Sequence, residues 1–292
     1  MEQRIVESAA VLPVGTAVTG WAGLRWAGGF WFDGLATDGL TELPVTLAIG
    51  DSTINEQPGL EISEEHLRPY DLTFLDGLPI TAAVRSVIYL MRHADTLREA
   101  VRALDMAAYS DLVSIAEVVA YHEYLAAWTG IPLCRKATGL ANENAWSPRE
   151  VDLRLTWELD AELPRPLTNH PVFDRWGRHI GTPDLLDEEA GVGIDYDGAL
   201  HLAGRQRRRD RDREEAFRGV GLEYLMVMAG DERSRVASRM IAVRQRAQHQ
   251  APSVRDWTTD LPAWWVPTFT VEQRRALTRE QRERFLRFRR TA

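Results

Sequence analysis

The chain has 292 residues, of which 45% are hydrophobic and 27% charged, and this composition is typical of a globular protein with one large or two ordinary domains. No stretch of the sequence reaches the roughly 20 apolar residues that a membrane-spanning helix needs. The charged first residues lack the apolar core of a signal peptide. The single cysteine, Cys134, excludes an intramolecular disulfide and argues against a cysteine-based zinc site. These features predict a cytoplasmic protein without a membrane partner.

The net charge of −8 does not favour a nucleic-acid-binding protein that acts through its total charge, although local basic clusters can still bind nucleic acid. Among the 35 basic residues only Lys136 is a lysine. A chemical role that enzymes commonly give to lysine must therefore be filled by another residue.

The first half of the chain predicts a small α+β domain. Short apolar runs predict a strand over residues 44–49 and a hairpin of residues 72–75 and 78–80, because Asp76-Gly77 suits a tight turn. Thr81 is a candidate N-cap for a helix over residues 82–92, and residues 95–106 carry apolar residues on one helical face. Ser114 and Glu117 form a capping box for a helix that ends at about residue 129, before Gly130.

The second half predicts an α/β fold. Ser147, Pro148 and Glu150 have the spacing of a capped helix start, and the helix runs to about residue 163. Strands are expected over residues 172–173, 181–186 and 192–196, followed by a helix over 207–220, a strand over 222–228 and a helix over 232–249. This order predicts a mixed sheet flanked by helices.

The tail is rich in tryptophan and arginine, and a terminal helix is expected to begin at Thr270. We therefore predict domains at residues 1–140 and 141–250 and an extension at 251–292. The arginines of the tail either bind nucleic acid or are side chains of a helix docked through Leu277, Phe285 and Phe288, and the docked helix is the favoured interpretation. In the first domain we expect five aromatic residues to be core rather than a base-stacking surface: Trp21, Trp26, Phe30, Trp31 and Phe32.

Acidic residues cluster where the predicted strands of the second half end. Asp195 and Asp197 are two residues apart, so a strand places both side chains on one face. Asp184 can lie opposite them if the two strands form a hairpin. Mg²⁺ prefers oxygen ligands and is commonly held by one or two carboxylates. The pattern therefore predicts a Mg²⁺ or Mn²⁺ site, with the alternative that these residues only form turns, as Asp197-Gly198 often does.

The order and spacing of these motifs resemble the very-short-patch-repair-endonuclease-like proteins of the PD-(D/E)xK superfamily over roughly a third of the chain. Those relatives have a helix beginning T/S-P-x-E, a D-F strand, an E-x-D-G-x-x-H segment, a helix with D-x-x-R, a glycine and an apolar strand. The matching segments are 147–150, 183–185, 195–201, 210–213, Gly221 and 222–227. The resemblance implies a restriction-endonuclease-like domain.

The resemblance also implies roles for individual residues. Asp184 and Asp195 would hold the metal, Glu150 would contribute from the helix, and His201 would help to activate water or stabilise the leaving group. Asp197 completes the implied catalytic set. Many superfamily members have a lysine at this position, but the relatives of this branch lack that lysine, as this chain does.

Two departures from the family pattern bear on activity. Asp195 stands where glutamate is usual, which retracts the carboxylate by one methylene and puts catalytic competence in doubt. The arginine often found in the closing strand is missing, and Met226 and Met228 stand nearby instead.

Five arginines follow the acidic motif. As part of a charged helix they either face solvent or bind DNA phosphates without reading the base sequence. They are Arg205, Arg207, Arg208, Arg209 and Arg213.

Segments 15–25, 43–48 and 76–85 are similar to the abortive-infection antitoxin family of bacterial type IV toxin–antitoxin systems. That resemblance is looser and carries no catalytic motif. It implies a regulatory or DNA-binding first domain, with a cognate toxin or antitoxin protein as a partner. A second copy of the chain is another possible partner.

Three functions follow as hypotheses. The first is a metal-dependent DNA endonuclease or nickase in bacterial DNA repair or phage defence, with RNA left open as a substrate. The alternative is a DNA-binding antitoxin or transcriptional regulator whose nuclease fold has weak or no activity. A weaker third option is a toxin nuclease that a partner holds inactive.

Overall fold

The computed structural model describes residues 1–198, 205–250 and 255–290. The chain divides into two compact units: unit 1 is Met1–Glu143 with Thr270–Arg275, and unit 2 is Asn144–Phe269 with Ala276–Ala292. The unit boundary lies three residues after the boundary predicted at residue 140. The predicted extension at 251–292 does not form a unit of its own. Its segment Thr270–Arg275 belongs to unit 1, and the rest belongs to unit 2. Among the described residues, no helix is long and apolar enough to cross a membrane.

The helices are distributed over both units. In chain order they are α1 Glu2–Ala9, α2 Gly20–Trp26, α3 Ala83–Arg92, α4 Leu97–Tyr109, α5 Ile115–Glu123, α6 Ile131–Leu140, α7 Pro148–Leu155, α8 Arg205–Gly219, α9 Arg233–Gln248, α10 Val271–Arg275 and α11 Arg279–Phe285. A π-helical turn, Thr156–Asp160, continues α7.

The strands of unit 1 form one sheet and those of unit 2 form two. They are β1 Ala17–Val18, β2 Val45–Ala48, β3 Leu60–Ser63, β4 Leu72–Leu75, β5 Leu78–Thr81, β6 Leu167–Thr168, β7 Val172–Asp174, β8 His179–Gly181, β9 Leu185–Asp187, β10 Val192–Asp197, β11 Glu223–Met228 and β12 Trp257–Thr258. The sheet orders are β3-β2-β1-β5-β4 in unit 1, and β11-β10-β9-β6 and β12-β7-β8 in unit 2. The α/β class predicted from the sequence is confirmed.

Local signals in the sequence place several element ends correctly. The hairpin β4–β5 turns at Asp76-Gly77 as predicted. The side chain of Ser114 accepts a hydrogen bond from the backbone N–H of Glu117, which confirms the capping box. The predicted N-cap Thr81 is wrong: α3 begins after Ala82, and the Thr81 hydroxyl instead lies in a buried hydrogen-bonded chain.

Gly130 begins a helix rather than ending one. Helix α5 stops at Glu123, and Gly130, with φ of 82°, is the N-cap of α6, which the sequence analysis missed. A Cβ at this position would lie 2.4 Å from the carbonyl oxygen of Arg92. Both the left-handed backbone and the close approach of Arg92 therefore require glycine here.

Three further boundaries differ from prediction. Helix α7 ends at Leu155 and passes into the π-helical turn instead of continuing to residue 163. The strand expected over 181–186 is two strands, β8 and β9, which belong to different sheets. The terminal helix is interrupted, because Thr278 caps a new helix, α11, through the backbone N–H of Gln281.

The aromatic cluster of unit 1 is only partly core. Trp21 and Phe32 are buried, and the indole N–H of Trp21 donates to the carbonyl of Pro44 at 2.7 Å. Phe30 is 52% exposed, so the prediction that it belongs to the core is wrong. Trp26 and Trp31 are half-buried.

Unit 1 contains a buried ionic cluster in which one carboxylate serves two arginines. Glu65 lies 2.6 Å from the Arg85 guanidinium and 2.7 Å from that of Arg92. The ring of Trp128 lies beneath both guanidinium groups. Burial alone would raise the pKa of Glu65, but hydrogen bonds from His93 and Arg85 and the charges of the arginines outweigh it, so this pKa is lowered.

The Glu65→Gln substitution is expected to destabilise unit 1 by about 2–3 kcal/mol at pH 7, because two buried arginines lose their counter-charge. A lowered pKa in the folded state means that this stabilisation exists above the unfolded-state pKa and is lost as the pH falls through the folded-state value. The difference between wild type and variant should therefore begin to narrow below the unfolded-state pKa of about 4.3 and close as the pH falls through the lower folded-state pKa. Urea unfolding from pH 3 to pH 8 measures it, with the exposed neighbour Glu64→Gln as control. A pH-independent difference would contradict the ionic explanation.

The tail arginines Arg274 and Arg275 are bound inside unit 1. The Arg274 guanidinium is fully buried, lies 2.6 Å from the Asp111 carboxylate and donates to the carbonyl of Ala108. Arg275 pairs with Glu117 at 2.8 Å and donates to the carbonyls of Asp111 and Leu112. Both guanidinium groups are therefore bound by residues of unit 1, which agrees with docking of the tail rather than with nucleic-acid contact.

We expect Arg274→Ala to destabilise unit 1 by about 2–3 kcal/mol, because the largely buried carboxylate of Asp111 would lose the guanidinium that lies 2.6 Å from it. Arg135, an exposed arginine of α6 in the same unit, provides the matched control. Arg135→Ala should change the free energy of unfolding by less than about 0.5 kcal/mol. Similar losses in the two variants would show that the Arg274–Asp111 pair does not stabilise the unit.

The four-stranded sheet of unit 2 has helices on both faces. Strand β10 is parallel to β11 and antiparallel to β9, which makes the sheet mixed as predicted. One face packs against α7, the π-helical turn and α9 through a core that includes Trp157, Ile194 and Met240. On the other face, Phe217 of α8 packs against Leu186 and Tyr224. Alternate residues of β10 therefore face two different helical layers.

Candidate active site

Asp195 lies in the middle of the sheet because β10 is hydrogen-bonded on both sides. Ile194 and Tyr196 face the core that contains α9. Strand alternation then places Asp195 and Asp197 on the opposite face, toward α8. The side chain of Asp195 is buried and that of Asp197 partly so. The shared face predicted for the two aspartates is therefore present.

The carboxylate of Asp195 is bound by the chain at both oxygens. Its Oδ1 accepts from the backbone N–H of Asp184 at 2.9 Å and from Nη2 of Arg213 at 3.1 Å. Its Oδ2 accepts a hydrogen bond from the hydroxyl of Tyr224 and lies 3.0 Å from Nε of Arg213 in an ion pair. Burial nevertheless raises the pKa of Asp195, with Arg213 and Tyr224 opposing the rise.

Asp184 lies directly before β9 and faces Asp195 across the hairpin. Its Oδ2 accepts the backbone N–H of Tyr196 at 2.7 Å, so the two aspartates hold each other's strands. Burial and the negative charges of Asp195 and Glu150 raise the pKa of Asp184 well above its usual value. The ionised form of Asp184 is therefore electrostatically disfavoured in the protein without a bound cation.

Glu150 reaches the same region from the first turn of α7. Its carboxylate accepts from the Ser147 hydroxyl at 3.0 Å, the Trp146 backbone N–H at 2.8 Å and Nδ2 of Asn169 at 2.6 Å. The backbone N–H of Asn169 in turn donates to the carbonyl of Asp184 at 3.0 Å. Burial raises the pKa of Glu150, which is 4% exposed. Asn169 thus links the Glu150 carboxylate to the backbone of Asp184.

The three carboxylates suit a hard cation in their chemistry. Oxygen donors are the ligands that Mg²⁺ prefers, and mutual repulsion at Asp184 is what a bound cation would relieve. Among the residues that the structure describes, however, no group of three or more His, Cys, Asp or Glu side chains is arranged to hold a metal. The oxygen donors are of the kind that Mg²⁺ or Mn²⁺ takes, and a metal held by the pair Asp184 and Asp195 would require Asp195 to give up one of its present contacts.

Several predicted site residues fall outside what the structure describes. His201 belongs to the segment 199–204, which lies outside the described residues. The backbone of α8 is described from Arg205, but the side chains of Arg205, Arg207, Arg208 and Arg209 lie outside the description. Their assignments as catalytic or phosphate-binding residues remain predictions.

Arg213 occupies a different place from the one predicted. The sequence assigned it to DNA phosphates, whereas the structure places its guanidinium on Asp195 and on the carbonyl of Thr182. A phosphate contact by Arg213 would therefore require it to leave Asp195.

The sequence analysis missed Asn169 and Tyr224. Asn169 has a φ of 47°, a conformation that asparagine tolerates, and its side chain bridges Glu150 to the backbone of Asn144. Tyr224 lies opposite Gly193 in the parallel register of β10 and β11. A tyrosine in the closing strand beside a glycine in the acidic strand was the signal that could have indicated a ring packed below Asp195.

A solvent-open cavity of about 360 Å³ lies where β10 and β11 end. Two exposed arginines in its lining, Arg149 and Arg233, come from the first turns of α7 and α9. Asp152 and Asp231 contribute negative charge, and Asp231 is paired with Arg239 at 2.8 Å. Tyr196 joins this cavity to the strand that carries Asp195 and Asp197.

We compared the chain with protein-family models, curated proteins and solved structures, and none of these comparisons gives a match.

Proposed function

We propose that unit 2 is a metal-dependent endonuclease domain that acts on DNA in the bacterial cytoplasm, in repair or phage defence. The observation that carries this proposal is the convergence of Glu150, Asp184 and Asp195 at one end of the β9–β10 hairpin. The carboxylates of Asp184 and Asp195 each accept a backbone N–H from the opposite side of the hairpin. Burial raises the pKa of all three carboxyl groups. Clustered acidic groups with perturbed pKa values are typical of functional sites.

Each residue of the site has a distinct task in this proposal. Asp184 and Asp195 hold Mg²⁺ or Mn²⁺, which would activate water and neutralise charge on the phosphate. Glu150 is fixed by Ser147 and Asn169 and adds negative charge behind Asp184. Tyr224 orients Asp195 by donating its hydroxyl proton to Oδ2. Asp197 and His201 complete the catalytic set that the sequence predicts.

DNA binding in this proposal depends on local positive charge, since the total charge is −8. The arginines Arg149 and Arg233 line the cavity where β10 and β11 end, and the sequence predicts further phosphate-binding arginines in the first residues of α8. Such residues would bind phosphates and position the duplex without reading its sequence. Loss of affinity with rising salt is the expected property of this kind of contact.

A second function is supported by the state of Asp195. Its carboxylate accepts hydrogen bonds from Asp184, Arg213 and Tyr224 and is paired with the Arg213 charge, as in a site that has become structural. In that case the protein would be a DNA-binding antitoxin or transcriptional regulator, with a toxin or antitoxin protein or a second copy of the chain as partner. Unit 1, an α+β unit that resembles antitoxins in sequence, would then supply regulation.

A plasmid-nicking assay separates the two functions. We expect the full chain to convert supercoiled plasmid to the open circular form with Mg²⁺ or Mn²⁺ and not with EDTA. DNA binding measured by fluorescence anisotropy in EDTA provides the second readout. Binding without cleavage in any of these metals would overturn the nuclease proposal and favour the regulator. Cleavage of a labelled RNA but not of plasmid would correct the substrate.

A further inference from the structure

Arg213 is held on the carboxylate that the proposed metal needs. Its Nη2 donates a hydrogen bond to Oδ1 of Asp195 at 3.1 Å, and its Nε lies 3.0 Å from Oδ2 in an ion pair, so two nitrogens of the guanidinium contact the carboxylate. The Nη2 group also donates to the carbonyl of Thr182. The guanidinium carbon lies 5.8 Å from the ring centroid of Phe217, one helical turn further along α8. These contacts place one positive charge beside two carboxylates.

The charges of the pair are unevenly compensated. Asp195 has both the guanidinium and the Tyr224 hydroxyl, whereas Asp184 has a backbone N–H at one oxygen. The single positive charge of Arg213 acts on both aspartates but contacts only Asp195. A divalent ion held by the two aspartates would carry twice that charge, which gives the exchange a driving force.

The exposed fraction of the arginine side chain distinguishes this ion pair from two buried ion pairs of the protein. The side chain of Arg213 is 38% exposed, while that of Asp195 is 7% exposed. The arginines of the buried pairs Arg154–Glu158 and Arg274–Asp111 are fully buried. The Arg213 guanidinium therefore approaches Asp195 from the solvent side and can withdraw without opening the core.

We propose that Arg213 is an internal counter-ion that competes with a divalent cation for Asp195. The guanidinium occupies the carboxylate until metal enters, and metal entry releases it on the side from which a phosphate would approach. This inference rests on the proposed function, since it concerns the same carboxylate pair. It assigns Arg213 a positioning role that alternates between Asp195 and the nucleic acid.

Metal affinity tests the competition directly. Binding of Mn²⁺ to the full chain, followed by electron paramagnetic resonance, would be compared for wild type, Arg213→Gln and Arg218→Gln. We expect Arg213→Gln to bind Mn²⁺ on the order of ten- to a hundredfold more tightly, the usual size of coupling between two mutually exclusive states. Arg218 lies on the same helix, is 62% exposed and pairs with Glu214, so its variant should match wild type.

The outcomes distinguish this inference from the proposed function. Equal or weaker Mn²⁺ binding by Arg213→Gln, with binding by wild type, would leave the metal site standing and overturn the competition. No Mn²⁺ binding by either protein at millimolar metal would overturn both. Circular dichroism would check that the variant folds. Arg213→Lys keeps the positive charge but loses the second nitrogen that contacts Asp195, so its Mn²⁺ affinity should lie between those of wild type and Arg213→Gln.

A second readout needs no substitution. In protein labelled with ¹⁵N-arginine, we expect the Nε–H resonance of Arg213 to shift when Mg²⁺ is added, because its carboxylate partner is exchanged for solvent. The Nε–H resonance of Arg218 should stay in place. An Arg213 resonance that is unchanged at a Mg²⁺ concentration that saturates the site would overturn the inference.

Discussion

Asp184→Asn is expected to abolish metal-dependent nicking and, in EDTA, to make unit 2 more stable than wild type. Asparagine keeps an oxygen that can accept the Tyr196 backbone N–H and has nearly the same volume, but it removes a negative charge beside Asp195 and Glu150. Loss of a ligand charge should reduce the nicking rate at least about a hundredfold, since even residues behind metal ligands commonly cost ten- to a hundredfold.

The gain in stability follows from the sign of the pKa shift. Burial and the neighbouring carboxylates raise the pKa of Asp184 in the folded protein. A raised pKa means that the folded state binds the proton more tightly than the unfolded state does. The resulting stabilisation is complete below the unfolded-state pKa and is lost as the pH rises through the folded-state pKa. At pH 8 the wild type should therefore unfold roughly 2–4 °C below the variant, as about 1 kcal/mol would produce in a unit of this size.

Differential scanning calorimetry in EDTA and the plasmid-nicking assay measure these two effects on the same samples. Asp260→Asn is the control, because Asp260 is an exposed aspartate of the same unit. It should leave both the nicking rate and the unfolding temperature unchanged. An Asp184→Asn protein that nicks at the wild-type rate would exclude Asp184 as a metal ligand. An Asp184→Asn protein that is less stable than wild type at pH 8 would show that the folded protein does not disfavour the ionised form of Asp184.

Trp157→Ala is expected to destabilise unit 2 by about 3–5 kcal/mol, the largest effect on stability that we predict. Trp157 lies in the π-helical turn after α7, is 1% exposed and packs in the core between the four-stranded sheet and α9. Its indole N–H also donates to the carbonyl of Pro164 at 2.6 Å. The substitution removes the packing of a large ring and leaves that carbonyl without its donor.

Hydrogen exchange followed by mass spectrometry can localise this effect to unit 2. Peptides from β10 and β11 should lose protection in Trp157→Ala, while peptides from unit 1 should keep it. Trp176→Ala is the matched control, because Trp176 is 78% exposed. Equal destabilisation by the two substitutions would contradict the assignment of Trp157 to the core.

The sequence predicts those parts of the fold that local signals determine. Capping residues such as Ser114 and Ser147, and the turn at Asp76-Gly77, place element ends close to where the structure has them. The separation of β8 from β9 was missed, because the run 181–186 reads as one apolar strand and its division depends on which sheet each half joins. The start of α6 depends on a contact between Gly130 and Arg92, residues distant in sequence.

The site shows the same division between local and distant information. The spacing of Asp195 and Asp197, together with the hairpin, predicts that Asp184 and Asp195 lie together, and the structure has them hydrogen-bonded across the hairpin. The position of Arg213 was not predictable, since its charge equally suits phosphate or carboxylate. Only the packing of α8 through Phe217 turns it toward Asp195.

The segment Thr270–Arg275, which supplies the buried guanidinium of unit 1, comes from the chain after most of unit 2. During synthesis, unit 1 therefore cannot acquire residues 270–275 until most of unit 2 has been translated, a delay on the order of ten seconds. During that interval Asp111 lacks the Arg274 guanidinium, and the incomplete unit 1 is exposed to chaperones and proteases. Synthesis of residues 270–275, rather than of the first 143 residues, is then the event that completes unit 1.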